Sequence, residues 1–80
     1  MQRLKSLLSK ILEIEEDQIT PETSPENVET WDSFNGLLIA SELESLFNVK
    51  FSMEEVASVE NVRDIIEALF NHDVKLEGEI

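Results

Sequence analysis

Asp32 and Ser33 are the residues whose types and position in this sequence could support chemistry. They lie in the stretch TWDSFNG, where a polar segment gives way to an apolar run. A serine hydroxyl in such a position can act as a nucleophile, cap a helix or carry a covalently attached group. Hydrolysis is disfavoured, because no Gly-x-Ser-x-Gly elbow surrounds Ser33 and the chain has a single histidine, His72. The other two roles stay open.

Ser33 and Asp32 compete for one structural role, the cap of the helix that follows them. Serine is a preferred N-cap residue, but Asp32 would serve equally well and would leave Ser33 at the first helical position with its hydroxyl pointing outwards. We interpret Trp31 as an anchor for the preceding loop rather than as a binding residue. His72 is expected to be solvated, and without cysteine or a second histidine no transition-metal site is predicted.

The composition restricts the classes of partner. The 80 residues include 18 acidic and 6 basic side chains, so the net charge is −12. Such a surface repels phosphates, which argues against nucleic acids and anionic membranes as partners. No apolar run approaches the roughly 20 residues of a membrane span. We therefore expect a soluble, cytoplasmic protein that does not insert into membranes and whose fold depends on its hydrophobic core.

Apolar periodicity predicts the elements that position Ser33. Apolar residues recur at helical spacing in three stretches, whereas residues 16–32 have no period and form a loop that Ile19 and Val28 anchor. Ser52 and Glu55 fit a capping box, which predicts a short additional helix. The predicted fold is all-α: a small four-helix bundle with a long loop between helices 1 and 2 and a short third helix. The predicted helices span about 2–14, 32–48, 53–58 and 62–70, in a single domain of residues 1–72 followed by a mobile C-terminal tail, 73–80.

The second predicted helix does not bury all of its apolar residues. At 100° per residue, Phe34, Leu37 and Leu38 fall on its polar side, close to Ser33. A contiguous exposed apolar patch usually marks a contact surface. Alternatively, Phe34 and Leu37 fold under the long loop and belong to the core. The predicted core face is formed by Ile39, Ala40, Leu43, Leu46 and Phe47, with Gly36 in the same sector where another element is expected to pack closely.

At these residues the sequence resembles the acyl carrier protein family. The match is the Asp-Ser-hydrophobic signature, here Asp32-Ser33-Phe34, at the start of the second helix of a small acidic four-helix domain. It continues through LLIASELESLFNVKFSMEEV into the short third helix, and SVENVRDIIEAL is similar to the family's final helix. The resemblance covers roughly Leu4 to Leu69.

The resemblance implies a function and a cofactor. Ser33 would carry 4′-phosphopantetheine, joined as a phosphodiester and supplied from coenzyme A by a phosphopantetheinyl transferase, with Asp32 as the flanking signature residue. The thiol of this arm would hold an acyl or aminoacyl group as a thioester and present it to partner enzymes, as in fatty acid or polyketide biosynthesis. The protein itself would not be an enzyme.

Two positions depart from the pattern of carriers in fatty acid synthesis. Those carriers usually have acids where this chain has Asn35 and Leu38, and the tryptophan before Asp-Ser is more similar to stand-alone carriers of specialised pathways. A competing hypothesis is an acidic helical adaptor that binds a protein partner through the Phe34-Leu37-Leu38 patch. We favour a monomeric carrier that docks on loading and acyl-using enzymes with basic or apolar patches, through Phe34, Leu37, Leu38, Glu42 and Glu44.

Overall fold

Four α-helices joined by irregular segments form the described part of the chain. The computed structural model describes residues 3–74. Among these residues, α1 spans Arg3–Leu12, α2 spans Ser33–Phe47, α3 spans Met53–Ala57 and α4 spans Val62–Asn71, and there is no strand. The predicted all-α class, the number and order of the helices and the short third helix are confirmed. No helix in this range is both long and apolar enough to cross a membrane.

The first two helices end at residues with left-handed backbone conformation. Glu13 follows α1 with φ 58°, and Asn48 caps α2 with φ 56°. Asparagine tolerates this region better than most residues, whereas an L-residue such as glutamate adopts it rarely. The reversal at Glu13 ends α1 at Leu12, two residues before the predicted end at Ile14.

The core is formed by the three longer helices and the loop between α1 and α2. Ile19 and Trp31 are the loop's large buried side chains, and Val28 packs against the core more shallowly. Two positions that apolar periodicity places on a core face are wrong: Leu46 of the second helix is 41% exposed, and Phe70, in the stripe of Val62, Ile65, Ile66 and Leu69 of the last helix, is 57% exposed. Both lie in the last turn of a helix, and the periodicity of a helix gives the direction of a side chain without telling whether another element reaches it. The helical members of the core are Leu4, Leu8, Leu12, Ile39, Leu43, Val62, Ile65 and Leu69.

The long loop is more ordered than its sequence predicts. It contains a 3₁₀ helix over Glu16–Gln18, which periodicity did not reveal. The buried Thr23 hydroxyl donates to the Gln18 carbonyl at 3.2 Å, and the Thr23 carbonyl accepts from the Val62 amide at 2.9 Å. The Arg63 amide donates to the Pro21 carbonyl at 2.9 Å. The loop therefore satisfies amides of the first turn of α4, which have no partner inside the helix.

The C-terminal end of the described chain is bonded to α4. The amides of Asp73 and Val74 donate to the carbonyls of Phe70 and Leu69 at 3.0 and 2.9 Å, and Val74 packs against the core. The sequence assigned these two residues to the predicted mobile tail, and both make backbone hydrogen bonds to α4. Residues 75–80 of that tail lie outside the described residues.

Candidate functional site

Asp32 and Ser33 have different roles at the start of α2: one caps the helix and the other has a free hydroxyl. Asp32 has extended backbone and is the N-cap of α2, and its Oδ1 accepts a hydrogen bond from the Asn35 amide at 2.9 Å. Ser33 is the first residue of the helix and is exposed. Its hydroxyl makes no hydrogen bond to any residue of the described range. The Ser33 hydroxyl is therefore free for reaction at the N-terminus of a helix of 15 residues.

Thr30 makes three hydrogen bonds that hold the chain in place just before Ser33. The Thr30 hydroxyl donates to the Leu12 carbonyl at 2.6 Å, which attaches this end of the loop to the end of α1. The Thr30 carbonyl accepts from the Asn35 side-chain amide at 2.6 Å and from the Asp32 backbone amide at 3.1 Å. Asn35, which stands where fatty-acid carriers have an acid, thus helps to fix the turn that presents Ser33.

Trp31 packs against α2 beside this turn. Its side chain is 6% exposed and belongs to the core, which confirms its role as an anchor of the loop. A Cβ added at Gly36 would lie 3.6 Å from Trp31 Nε1, an ordinary van der Waals distance. The predicted close neighbour of Gly36 is therefore the indole, but the gap would still admit a methyl group.

A cavity of about 590 Å³ opens beside Ser33. Asp32 and Ser33 lie on its rim, and Glu55 is the other acidic residue of its wall. Nearly all other lining side chains are apolar, so the cavity suits an apolar chain better than a polar ligand. The apolar lining includes Trp31, Leu37, Ile39, Ala40, Leu43, Phe51, Val56, Val59, Ile65 and Ala68.

The predicted apolar patch lies on α2 directly after Ser33, with one correction. Phe34 is 73% exposed and Leu37 is 57% exposed, so neither folds under the loop. Leu38 is half-buried rather than exposed. Helical periodicity gives the direction of the Leu38 side chain but not how far its neighbours cover it. We call Phe34, Leu37 and Leu38 the α2 patch.

The two acids predicted to contact partners differ in their surroundings. Glu42 is exposed on α2. Glu44 is half-buried, and its Oε2 accepts a hydrogen bond from the Phe51 amide at 2.8 Å. The Glu44 carboxylate therefore holds the connector between α2 and α3, a structural role that the sequence did not indicate.

Comparison with known proteins identifies the family. A family model described as "Phosphopantetheine attachment site" matches residues 2–69, which is most of the chain. The chain belongs to this family. A curated relative, the acyl carrier protein of Coprothermobacter proteolyticus, is 29% identical over 68 residues, covering 85% of this chain and 83% of the relative. The protein is thus a carrier that bears covalently attached 4′-phosphopantetheine, and it is not an enzyme.

Membership of this family also defines the general class of partner. A phosphopantetheine carrier interacts with a phosphopantetheinyl transferase and with acyl-handling enzymes. The family match does not favour the adaptor hypothesis, in which the chain carries no group. Within residues 3–74 of the carrier, no cluster of three or more acidic or histidine side chains could hold a metal ion.

His72 of the carrier is not the solvated residue that the sequence predicted. Its side chain is 28% exposed, and its Nε2 lies 2.9 Å from Glu55 Oε2. Its ring contacts Phe51 edge-on, with centroids 5.3 Å apart. Glu55 and Phe51 both line the cavity, so His72 supports the cavity wall from behind. Its partial burial could have been predicted from helical spacing, because His72 continues the buried stripe of Ile65 and Leu69.

Proposed function

We propose that Ser33 is the residue that carries 4′-phosphopantetheine and that the arm presents acyl or aminoacyl groups as thioesters. The observation that carries this proposal is the exposed, unbonded Ser33 hydroxyl on the rim of an apolar cavity. Asp32 caps α2 in its place, so modification of Ser33 sacrifices no hydrogen bond of the fold. The free amides and the dipole at the helix N-terminus also favour an attached phosphate.

The cavity supports a role in holding the cargo. A group attached to Ser33 enters at the rim, and its apolar part removes lining surface from water as it fills the interior. The cavity has room for part of an acyl chain, at about 590 Å³. A cargo held there would be shielded from water until a partner enzyme withdraws it.

Intact-mass measurement tests the attachment site. The unmodified protein is incubated with coenzyme A, Mg²⁺ and a broad-specificity phosphopantetheinyl transferase. Wild type should gain one phosphopantetheinyl group, and Ser33→Ala should gain none. Ser41→Ala, which removes another exposed hydroxyl from α2, is the matched control and should react like wild type. Modification of Ser33→Ala would overturn the assignment.

We propose further that partner enzymes dock on the α2 patch. The patch begins at the residue after Ser33 and exposes two large apolar side chains, Phe34 and Leu37, on an otherwise acidic chain. Glu42 and Glu44 lie further along α2, although one Glu44 oxygen already accepts from Phe51. Long-range attraction would steer a basic partner to the carrier, and the docked contact beside Ser33 would be apolar. The high negative charge also favours a monomeric carrier, because identical copies repel each other.

A matched pair of phenylalanines tests this docking site. Phe34 and Phe70 are both more than half exposed but lie on different helices. Phe34→Ala should lower kcat/KM of the transferase reaction by roughly tenfold or more, as expected for an apolar anchor of an interface. Phe70→Ala should leave it near the wild-type value. Equal effects of the two substitutions, or none, would contradict docking on the α2 patch.

The half-buried Leu38 provides a second test of specificity. Leu38→Glu introduces the acid that fatty-acid carriers have at this position. It should weaken reaction with an enzyme adapted to the apolar patch, by about 1–3 kcal/mol if Leu38 is desolvated in the contact. It should improve use by an enzyme of fatty acid synthesis. If that enzyme already accepts wild type equally well, the carrier is not specialised in the way we propose.

A further inference from the structure

The indole N–H of Trp31 has no protein acceptor among the described residues, although the residue as a whole is largely buried. The Trp31 side chain is 6% exposed. Its Nε1 makes no hydrogen bond to any residue in the range 3–74. Buried tryptophan N–H groups usually find an acceptor, because an unsatisfied donor is costly in an apolar environment. The Trp31 N–H therefore remains available to an acceptor that is not part of the described chain.

The position of this N–H points to the cavity. Among the described residues no fully occluded side-chain nitrogen or oxygen lacks a partner, so Trp31 Nε1 retains access to open space. Nε1 lies 3.6 Å from the open Cβ position of Gly36, and both residues line the cavity. Gly36 is three residues after Ser33 on α2, so the N–H lies near the rim where the tethered group enters.

The other side chains of the cavity cannot replace this donor. The described lining also contains the carboxylates of Asp32 and Glu55. Ionised carboxylates accept hydrogen bonds but cannot donate them. The Ser33 hydroxyl has a proton to donate, but it gives up that proton when it becomes a phosphodiester. Once the carrier is loaded, the indole N–H is the one side-chain donor of the described lining.

We propose that the Trp31 indole N–H donates a hydrogen bond to a carbonyl oxygen of the group tethered to Ser33. This inference rests on the proposed attachment at Ser33 and makes Trp31 a cargo-contacting residue as well as an anchor of the loop. The carbonyl belongs either to an amide of the arm or to the thioester of the cargo. In both cases the donor fixes how deeply the tethered group enters the cavity.

The chain allows a direct test, because its single tryptophan gives a single indole N–H signal in a ¹⁵N-correlated spectrum. Four forms of the full chain are compared: unmodified, loaded with the free-thiol arm, acylated as a thioester, and alkylated as a thioether of the same chain length. The thioether is the matched control, since it fills the cavity equally but lacks the thioester carbonyl. Intact mass first confirms each loading, so a failure of attachment at Ser33 is recognised separately.

The expected result is a downfield shift of the indole proton and exchange with water that slows by roughly fivefold or more, the factor that one hydrogen bond provides. A change already present with the free-thiol arm assigns the acceptor to an arm amide. A change with the thioester but not with the thioether assigns it to the thioester carbonyl. No change in any loaded form would overturn the proposal, and so would equal changes with thioester and thioether that are absent from the free-thiol form.

A carbonyl label provides the complementary measurement. With ¹³C at the thioester carbonyl, hydrogen bonding to the indole shifts the carbon signal relative to a free thioester. Trp31→Phe retains an apolar ring without the N–H, and the shift should disappear in this variant if the thioester is the acceptor. A shift that persists in Trp31→Phe would contradict the assignment to the thioester. If the variant does not fold, the indole measurement on wild type still decides the question.

Discussion

At the scale of single residues, the start of α2 separates the residue that caps the helix from the residue that we propose is modified. Asp32 accepts the Asn35 amide at 2.9 Å, while the adjacent Ser33 hydroxyl has no partner in the described chain. A serine that capped its own helix would be left with a weaker acceptor, an ester oxygen, after modification. The neighbouring aspartate removes this conflict, so the helix start can be the same before and after attachment.

This division predicts different effects of two adjacent alanine substitutions. Asp32→Ala removes the cap and should lower the free energy of unfolding by about 1 kcal/mol. Ser33→Ala should change it by less than about 0.5 kcal/mol, the usual range for an exposed residue without special contacts. Urea unfolding followed by circular dichroism measures both values. A loss of stability in Ser33→Ala as large as that in Asp32→Ala would show that Ser33 takes part in capping.

At the scale of elements, α3 depends on contacts outside itself. A helix of five residues is too short to be stable alone in water. Ser52 and Glu55 cap its first turn reciprocally, with the Ser52 amide donating to Glu55 Oε1 at 2.8 Å. The other Glu55 oxygen pairs with His72 at the end of α4. One carboxylate thus holds α3 and joins it to α4 across the cavity wall.

The Glu55 contacts predict a specific pH dependence. The Ser52 backbone N–H, together with the His72 side chain, holds the pKa of Glu55 below its ordinary value. Because the folded pKa is lowered, the stability from Glu55 is fully present above about pH 4.3, the ordinary value for glutamate, and is lost as the pH falls through the folded pKa. Glu55→Gln should therefore lose less stability than wild type on acidification through this window.

Thermal unfolding at a series of pH values measures this effect. Glu54→Gln, on the same helix but exposed, is the control for the loss of one negative charge. The melting temperature of Glu54→Gln should fall on acidification about as much as that of wild type. The melting temperature of Glu55→Gln should fall less. If Glu55→Gln and Glu54→Gln have parallel profiles, the hydrogen bonds of Glu55 contribute nothing to acid sensitivity.

Local sequence patterns predicted the structural features that depend on residues close together in the sequence. They missed the features that depend on tertiary contacts. The capping box of Ser52 and Glu55 could be predicted because both partners lie within four residues of each other. The pairing of Glu55 with His72 could not, because 17 positions separate them in the sequence. The exposure of Leu46 was missed for a similar reason, since it depends on where other elements end. The Ser33 region was predictable in outline because its signature is contiguous.

At the scale of the whole molecule, charge opposes the fold. With 18 acids against 6 bases, most side-chain charges repel their neighbours at neutral pH. Arg63 pairs with Glu22 within residues 3–74, but a chain with three acids for each base cannot pair most of its carboxylates. The surface that would steer basic partners to the carrier therefore also lowers its stability.

Salt should consequently raise the melting temperature, because ions screen the repulsion between exposed carboxylates. Millimolar Mg²⁺ or Ca²⁺ should raise it beyond the effect of the same ionic strength of NaCl, since divalent cations bridge nearby carboxylates. A thermal scan in NaCl, MgCl₂ and CaCl₂ at matched ionic strength measures both effects. An unchanged melting temperature in all three would show that repulsion between the acids is a minor contribution.

The burial of Trp31 against α2 also makes the protein a natural fluorescent reporter. The chain has one tryptophan and no tyrosine, so its near-ultraviolet emission comes almost wholly from the indole that lines the cavity. Indole emission responds to the polarity of its surroundings, and entry or withdrawal of a tethered chain changes that polarity. Loading and unloading should therefore be visible continuously, without a dye or a radioactive label.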